Sequence, residues 1–217
     1  MRGGMGQGVL AMTEKILMIY GAGGAGREFA SNFDGQVLGF IDDTKMPGEI
    51  IDSLPVWGGF DYLKTYYGDL AFCIVGNPKV KKELIGKLKS KCPGVGFPTV
   101  FTPHNVIAKG IKWGEGSIVA HPYNIICPGV CVGEFVWINA KNSIGHNVKI
   151  GNYTTLYSGI FLGGGSSVGE FCVIGTGAIV NPGVKVGDNV ILGAGAVVVK
   201  DITEPGTYVG LPAQRIK

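Results

Sequence analysis

Reading backwards from Val198, an aliphatic residue occupies every sixth position without a break as far as Val132. The series is Val198, Leu192, Val186, Val180, Ile174, Val168, Leu162, Leu156, Ile150, Ile144, Ile138 and Val132, and glycine directly follows eight of them. Two residues ahead of the phased positions runs a second row, small or β-branched: Val130, Val136, Val148, Thr154, Ser166, Cys172, Ala178, Val184, Val190 and Ala196. A short strand with alternate side chains turned inward explains both rows. Asn139, Asn181 and the glycines sit where the chain must turn, because both residue types tolerate the left-handed backbone. Six residues then make one flat side and one corner, three sides close a triangular turn, and the hexads stack into about four turns at roughly 4.8 Å each. The phase continues upstream through Ile126 and, after one extra residue within 120–125, to Val119, Trp113 and Ile107. Residues 105–200 therefore read as one parallel coil. A β-sandwich with period-two strands would not keep this phase.

The chain has 217 residues, 46% of them hydrophobic and 16% charged, enough to bury a sizeable core and to form two domains. No apolar run reaches the length of a membrane span. A net charge of +3 spread along the chain offers no nucleic-acid stripe, and it suits an anionic small molecule. Residues 1–13 carry Gly3, Gly4, Gly6 and Gly8 without the apolar core of a secretory signal, so they read as a disordered leader. The five cysteines are odd in number and lack paired CxxC spacing, which suits reduced thiols in the cytoplasm. Cys127 and Cys131 read as structural filling, not as metal ligands.

Ahead of the coil, residues 14–92 read as a small α/β, Rossmann-like domain. An apolar run at 15–20 leads into Gly21-Ala22-Gly23-Gly24-Ala25-Gly26, and a helical stretch follows. Strand, glycine turn and helix N-terminus is the order in which bare backbone N–H groups face a phosphate. A second strand at 37–41 ends at Asp42 and Asp43, about where an acid meets a ribose hydroxyl in dinucleotide folds. A third strand at 71–75 ends at Gly76-Asn77, and 78–91 is amphipathic helix. The domain is too short for a second βαβαβ half, which favours one nucleotide with a diphosphate over NAD. Lys79 and Lys81 stand near the strand ends, where such lysines either neutralise a diphosphate or, more often, belong to a solvated helix face. Residues 93–104 form the linker and 201–217 a C-terminal tail.

A glycine-loop domain followed by hexapeptide coils, with the ending Gly193-Ala194-Gly195-Ala196-Val197-Val198-Val199-Lys200-Asp201 and then Val209-Gly210-Leu211-Pro212-Ala213, resembles the bacterial sugar acyltransferases. The likeness is to the sialic acid O-acetyltransferase family and to the UDP-4-amino-sugar N-acetyltransferases of the bacillosamine pathway. It implies a left-handed coil, a homotrimer, acetyl-CoA in the groove between neighbouring coils, and a nucleotide sugar on the front domain. No metal is implied. The family's catalytic histidine lies in a segment similar to 144–151, which makes His146 the base. By the same likeness Gly23, Gly24, Asp42, Asp43 and Gly76 match the sugar-nucleotide side, to which Ala25 and Lys79 are assigned by their place, and Gly175, Thr176 and Ala194 match the CoA side, to which Thr155 is assigned by its place. Three positions depart from the family pattern: Asn147 stands where an acid usually follows the histidine, and Thr155 and Ala25 stand where the bacillosamine enzyme has histidines. A carboxylate from another turn, such as Glu170, is one substitute for the missing acid, and the N–H of Gly163 or Gly164 is a candidate donor to an oxyanion.

The expected activity is acetyl transfer from acetyl-CoA to the amine of a UDP- or dTDP-linked amino sugar, for a surface glycan, in the cytoplasm. O-acetylation of a sugar hydroxyl is the alternative enzyme, and a nucleotide-sugar-binding homologue without catalysis is the alternative outside enzymology. His104 reads as a cap at the coil entrance, and His121 as a bend where the hexad phase slips.

Overall fold

The structure, a computed structural model, describes residues 15–74 and 76–217, so the leader expected at 1–13 lies outside the described residues. The front domain is a sheet of β1 (Ile16–Tyr20), β2 (Gln36–Ile41), β3 (Ile50–Ile51), β4 (Leu54–Gly58), β5 (Gly68–Phe72) and β6 (Val95–Gly96) in the order β3-β4-β2-β1-β5-β6. Only the β3–β4 hairpin is antiparallel. Central β1 is buried from Leu17 to Tyr20, which is why its sequence is a continuous apolar run without alternation. Helix α1 (Gly24–Asn32) covers one face through Phe29, and α2 (Pro78–Lys91) covers the other through Ile85 and Leu88. Helix α2 starts where expected because Asn77 Oδ1 accepts the N–H groups of Lys79 and Val80, with proline in the first turn. The third strand ends three residues early: Gly68 and Asp69 pair with Val95 and Gly96, while Cys73 and Ile74 leave the sheet to line a cleft. The hairpin β3–β4 escapes the sequence reading because β3 has only two residues and β4 carries Pro55 and Gly58, which read as turn signals.

From Val100 onward the chain winds through three stacked parallel faces. Face one carries Val100–Phe101, Ile118–Val119, Trp137–Ile138, Thr155–Leu156, Val173–Ile174 and Val190–Leu192, then the tail strands Gly206–Val209 and Gln214–Arg215. Face two carries Val106–Ile107, Ile125–Ile126, Ser143–Ile144, Phe161–Leu162, Ile179–Val180 and Val197–Val198. Face three carries Lys112–Trp113, Cys131–Val132, Lys149–Ile150, Ser167–Val168 and Lys185–Val186. Segment 93–104 thus holds two strands, one added to each domain. The phased aliphatics from Val132 to Val198 and the second row are buried.

The glycines after the phased residues work differently from the expectation. The left-handed backbone falls two residues later in each corner, at Gly129, Phe135, Lys141, Asn147, Tyr153, Gly159, Gly165, Phe171, Gly177, Gly183, Asn189 and Gly195, and neither Asn139 nor Asn181 adopts it. The glycine that directly follows is needed for close approach: a Cβ at Gly145 would lie 2.6 Å from Gly164 N, and one at Gly175 would lie 2.6 Å from Leu192 O. Three aromatic residues of the corner between faces three and one accept a positive φ, which costs roughly 1–2 kcal/mol each. Phe135, Tyr153 and Phe171 offset this by stacking into a ladder with centroids 5.7 and 5.4 Å apart. A second ladder runs inside: the backbone N–H groups of Asn124, Asn142 and Ile160 donate in turn to Oδ1 of Asn105, Asn124 and Asn142.

The front domain docks over face one and its two bounding corners. Phe29 meets Trp137 edge-on at 6.5 Å, and the ring of His121 lies between Trp137 and Glu28. On the other corner, the ammonium groups of Lys82 and Lys89 stand over Phe171 and Phe135. His121 is therefore part of this contact and not only a bend; burial lowers its pKa, with Glu28 opposing. His104 stacks on Tyr123 at 6.4 Å, where a cap had been expected.

Candidate active site

Two recesses bear on chemistry, one on each domain. The first is a cleft of about 360 Å³ at the C-terminal ends of β1 and β2, lined by Tyr20, Gly21, Gly23, Gly24, Ala25, Asp42, Asp43, Thr44, Cys73, Ile74 and Leu84. Helix α1 opens there with Gly23 as N-cap, no side-chain cap and no acid in its first turn, so its leading N–H groups are free for an anion. Gly26 must be glycine, because a Cβ there would run into the Gly21 carbonyl oxygen. Asp42 Oδ2 accepts the Ala22 N–H at 2.9 Å and its Oδ1 accepts both the N–H and hydroxyl of Thr44, which locks the glycine turn to the end of β2. Partial burial works against ionisation of Asp42, but these hydrogen bonds outweigh it and hold the carboxyl below its ordinary range. Asp43 accepts the Tyr20 hydroxyl at 2.6 Å and the Phe60 N–H at 2.7 Å. Burial and then Asp43 push the Tyr20 phenol up, so it stays a donor. Gly76 and Lys79 are exposed beside α2 and do not line the cleft. Lys81, expected near the diphosphate, is 2% exposed, hydrogen-bonds the Phe135 carbonyl and does not line the cleft, so it makes no direct contact with a ligand there.

The second recess is the corner between faces two and three, where His146 and Asn147 are exposed. The imidazole lies flat on Gly164, at a position where any Cβ would collide with Nε2. Its Nδ1 is 3.3 Å from the Asn147 side-chain amide, and Asn147 holds a left-handed backbone, φ +59°, that places the amide beside the ring. The next turns put Gly164, Gly165, Pro182 and Gly183 above His146, with open space at Gly165 and Gly183. At roughly 4.8 Å per turn the same corner reaches Lys200 about 14 Å higher. There a cleft of about 410 Å³ is lined by Val199, Lys200, Asp201, Tyr208 and Arg215 among others.

Other expected residues stand elsewhere. Gly175, Thr176 and Ala194 share the corner between faces one and two, one face away from His146 in the same chain. Thr155 is fully buried, so it offers no surface to a cofactor; its strand lies on face one, directly above Trp137 in the stack. Glu170 is on the third corner, bound to Asn152 at 2.7 Å, and does not serve His146. The Gly163 N–H is committed to the Val180 carbonyl, which leaves Gly164 as the oxyanion candidate. Sequence reasoning missed Thr44, Tyr20 and Lys200; the first two follow from their place beside Asp42 and Asp43, the last from the eighteen-residue stacking period. No group of three or more His, Cys, Asp or Glu poised for a metal occurs among the described residues.

Comparisons agree with both halves. Residues 165–200 match the family described as bacterial transferase hexapeptide (six repeats), and residues 16–88 match the PglD N-terminal domain. A GDP-perosamine N-acetyltransferase of Escherichia coli O157:H7 is 28% identical over 151 residues, 65% of this chain and 66% of that protein. Over both regions the chain is similar to bacterial sugar acetyltransferases. Among solved structures, the acetyltransferase domain of PglB from Neisseria gonorrhoeae FA1090 in complex with acetyl coenzyme A superposes with a TM-score of 0.85 at 25% identity, covering 94% of this chain and 100% of that one. PerB from Caulobacter crescentus, in complex with CoA and GDP-perosamine, gives 0.84 at 26% identity, covering 94% and 98%. The coil of this chain is accordingly the left-handed β-helix of the hexapeptide-repeat fold.

Proposed function

We propose that this protein transfers the acetyl group of acetyl-CoA to the amine of a nucleotide-linked amino sugar, working as a homotrimer with His146 as general base. One observation carries the reading. The front domain covers face one and both of its corners, whereas His146 stands on the remaining corner, at the edge of face two. A sugar nucleotide held in the front cleft is on the far side of the prism from the imidazole of its own chain and meets that of a neighbouring copy. Face two supplies the contact for that copy, since Phe161 and Ile179 are stacked neighbours exposed at 45% and 36%, with Ile125 at 49% two turns below Phe161 across Ser143. Pairing copies through it brings the corner of Thr176 and Ala194 in one against the corner of His146 in the next. The cleft at Lys200 and Arg215 lies within reach of the anionic end of a CoA whose thioester is beside His146.

The chemistry needs a base because an attacking ammonium must lose a proton before its nitrogen bonds to the thioester carbonyl and the thiolate leaves. The Asn147 amide stands with its Nδ2 3.3 Å from Nδ1; turning that amide over by 180° sets its oxygen to accept Nδ1–H, which frees the lone pair of Nε2 for the proton. Removing the base costs 10²–10⁴-fold in rate as a rough range. The free N–H of Gly164 supports the carbonyl oxygen as charge develops on it. Two anionic substrates made and used inside the cell, together with five unpaired cysteines, support a cytoplasmic setting. Among the described residues no helix is long and apolar enough to cross a membrane.

The test is His146→Ala assayed by release of free CoA thiol with a panel of UDP-, GDP- and dTDP-amino sugars. Loss of most turnover with the oligomer intact is expected; turnover equal to that of the wild type refutes the assignment of the base.

A further inference from the structure

Helix α2 buries a lysine that the proposed chemistry leaves unused. Lys81 is 2% exposed and its Nζ donates a 3.0 Å hydrogen bond to the Phe135 carbonyl of the coil. An ammonium has three donors to satisfy, and the ion pairs among the described residues leave Lys81 out. Its surroundings are equally short of negative charge. On the sheet side it faces Cys73, whose thiol burial keeps neutral. On its own helix, Lys82 and Lys89 turn their ammonium groups to the rings of Phe171 and Phe135. On the coil, Glu115 pairs with Lys89, and Tyr153 stacks on Phe135. Burial pushes the Lys81 ammonium down to about 7, with Cys73 opposing.

What lies beyond Cys73 gives this cation a use. Cys73 and Leu84, the latter one helical turn from Lys81, both line the front cleft, so Lys81 sits beneath its floor. Cys73 and Lys81 are both buried, and across such a layer a charge on the far side is felt more strongly than through solvent. Lys79, which the sequence singles out, is exposed, and its field is screened.

We propose that Lys81 is the buried counter-charge of the nucleotide cleft: a diphosphate at the glycine turn is sensed through the cleft floor, and the nucleotide sugar is bound together with a proton. The inference rests on reading that cleft as the nucleotide site. It assigns Lys81 a positioning role, acting on the ligand through the field and not by contact.

Calorimetric titration of the full chain with UDP-glucose, GDP-mannose and dTDP-glucose at pH 7.5, in buffers of different ionisation enthalpy, tests it. These diphosphodiesters carry no group that titrates near neutrality. The expected result is a binding heat that varies with buffer in the sense of proton uptake, a fraction of a proton per nucleotide, and an affinity that falls as pH rises from 7 to 9. In Lys81→Met both dependences vanish. Binding with buffer-independent heat overturns the proposal and leaves the nucleotide reading standing, as does uptake that persists in Lys81→Met. Absence of binding by all three overturns the nucleotide reading and the proposal with it. The wild-type buffer series decides by itself if the variant does not fold.

Discussion

A single hydrogen atom in place of a side chain sets the geometry of the candidate base. Gly164 leaves the space into which the imidazole of His146 settles, and Asn147 beside it orients the ring without adding charge. Gly164→Ala is expected to lift the ring off the corner and to lower kcat, on the order of 10²-fold for a displacement of about 1 Å. Fold and oligomer are expected to persist, as checked by circular dichroism and gel filtration. Turnover within a factor of two of the wild type contradicts this account of the ring's position. His146 and Asn147 were legible from the chain because their segment falls in a strict repeat. The seat of the ring was not, since it depends on a residue one full turn away.

Within an element, the coil is held by more than its aliphatic rows. Asn142 is 1% exposed: it donates its N–H to Asn124 and its Nδ2 to the Asn139 carbonyl, and it accepts the Ile160 N–H. Asn142→Leu fills the same volume but strands Ile160 N–H and Asn139 C=O, so it is expected to cost about 1–3 kcal/mol, read from the denaturant midpoint. A stabilised variant speaks against the ladder. Hydrophobic period alone conceals this feature, because a buried asparagine in the second row looks like an interruption until its partners in the turns above and below are known. Element boundaries behaved similarly. Helix α2 was readable through its Asn-Pro start, whereas β5 was displaced because the apolar run continues past the sheet into the cleft wall.

At the scale of the molecule, the question is which surfaces another copy covers. If the proposed trimer forms through face two, Phe161→Asp puts a charge beside exposed Ile179 and is expected to dissociate that trimer and abolish acetyl transfer while nucleotide binding survives. Sedimentation and calorimetry check the two halves; an intact active oligomer removes face two as the contact. The docking of the two domains carries its own pH signature. Lys81 falls from an ordinary value near 10.5 to about 7 on folding, so between these values the unfolded chain binds more protons than the folded one. Its contribution therefore improves as pH rises from about 7 towards 10.5. Thermal stability of the wild type relative to Lys81→Met is expected to climb over that window, and a flat difference contradicts the burial of this charge.

The chain by itself determined the coil, the glycine turn and the position of His146, because each is a local pattern: a six-residue period, a strand–glycine–helix order and a repeat corner. Only the tertiary structure decided which corner faces which surface. It set Thr155 inside the molecule, Glu170 and the front domain away from His146, and Lys81 buried against the Phe135 carbonyl. The physical reason is that burial and electrostatic partners arise between turns and between domains, at separations where sequence distance carries no information about contact.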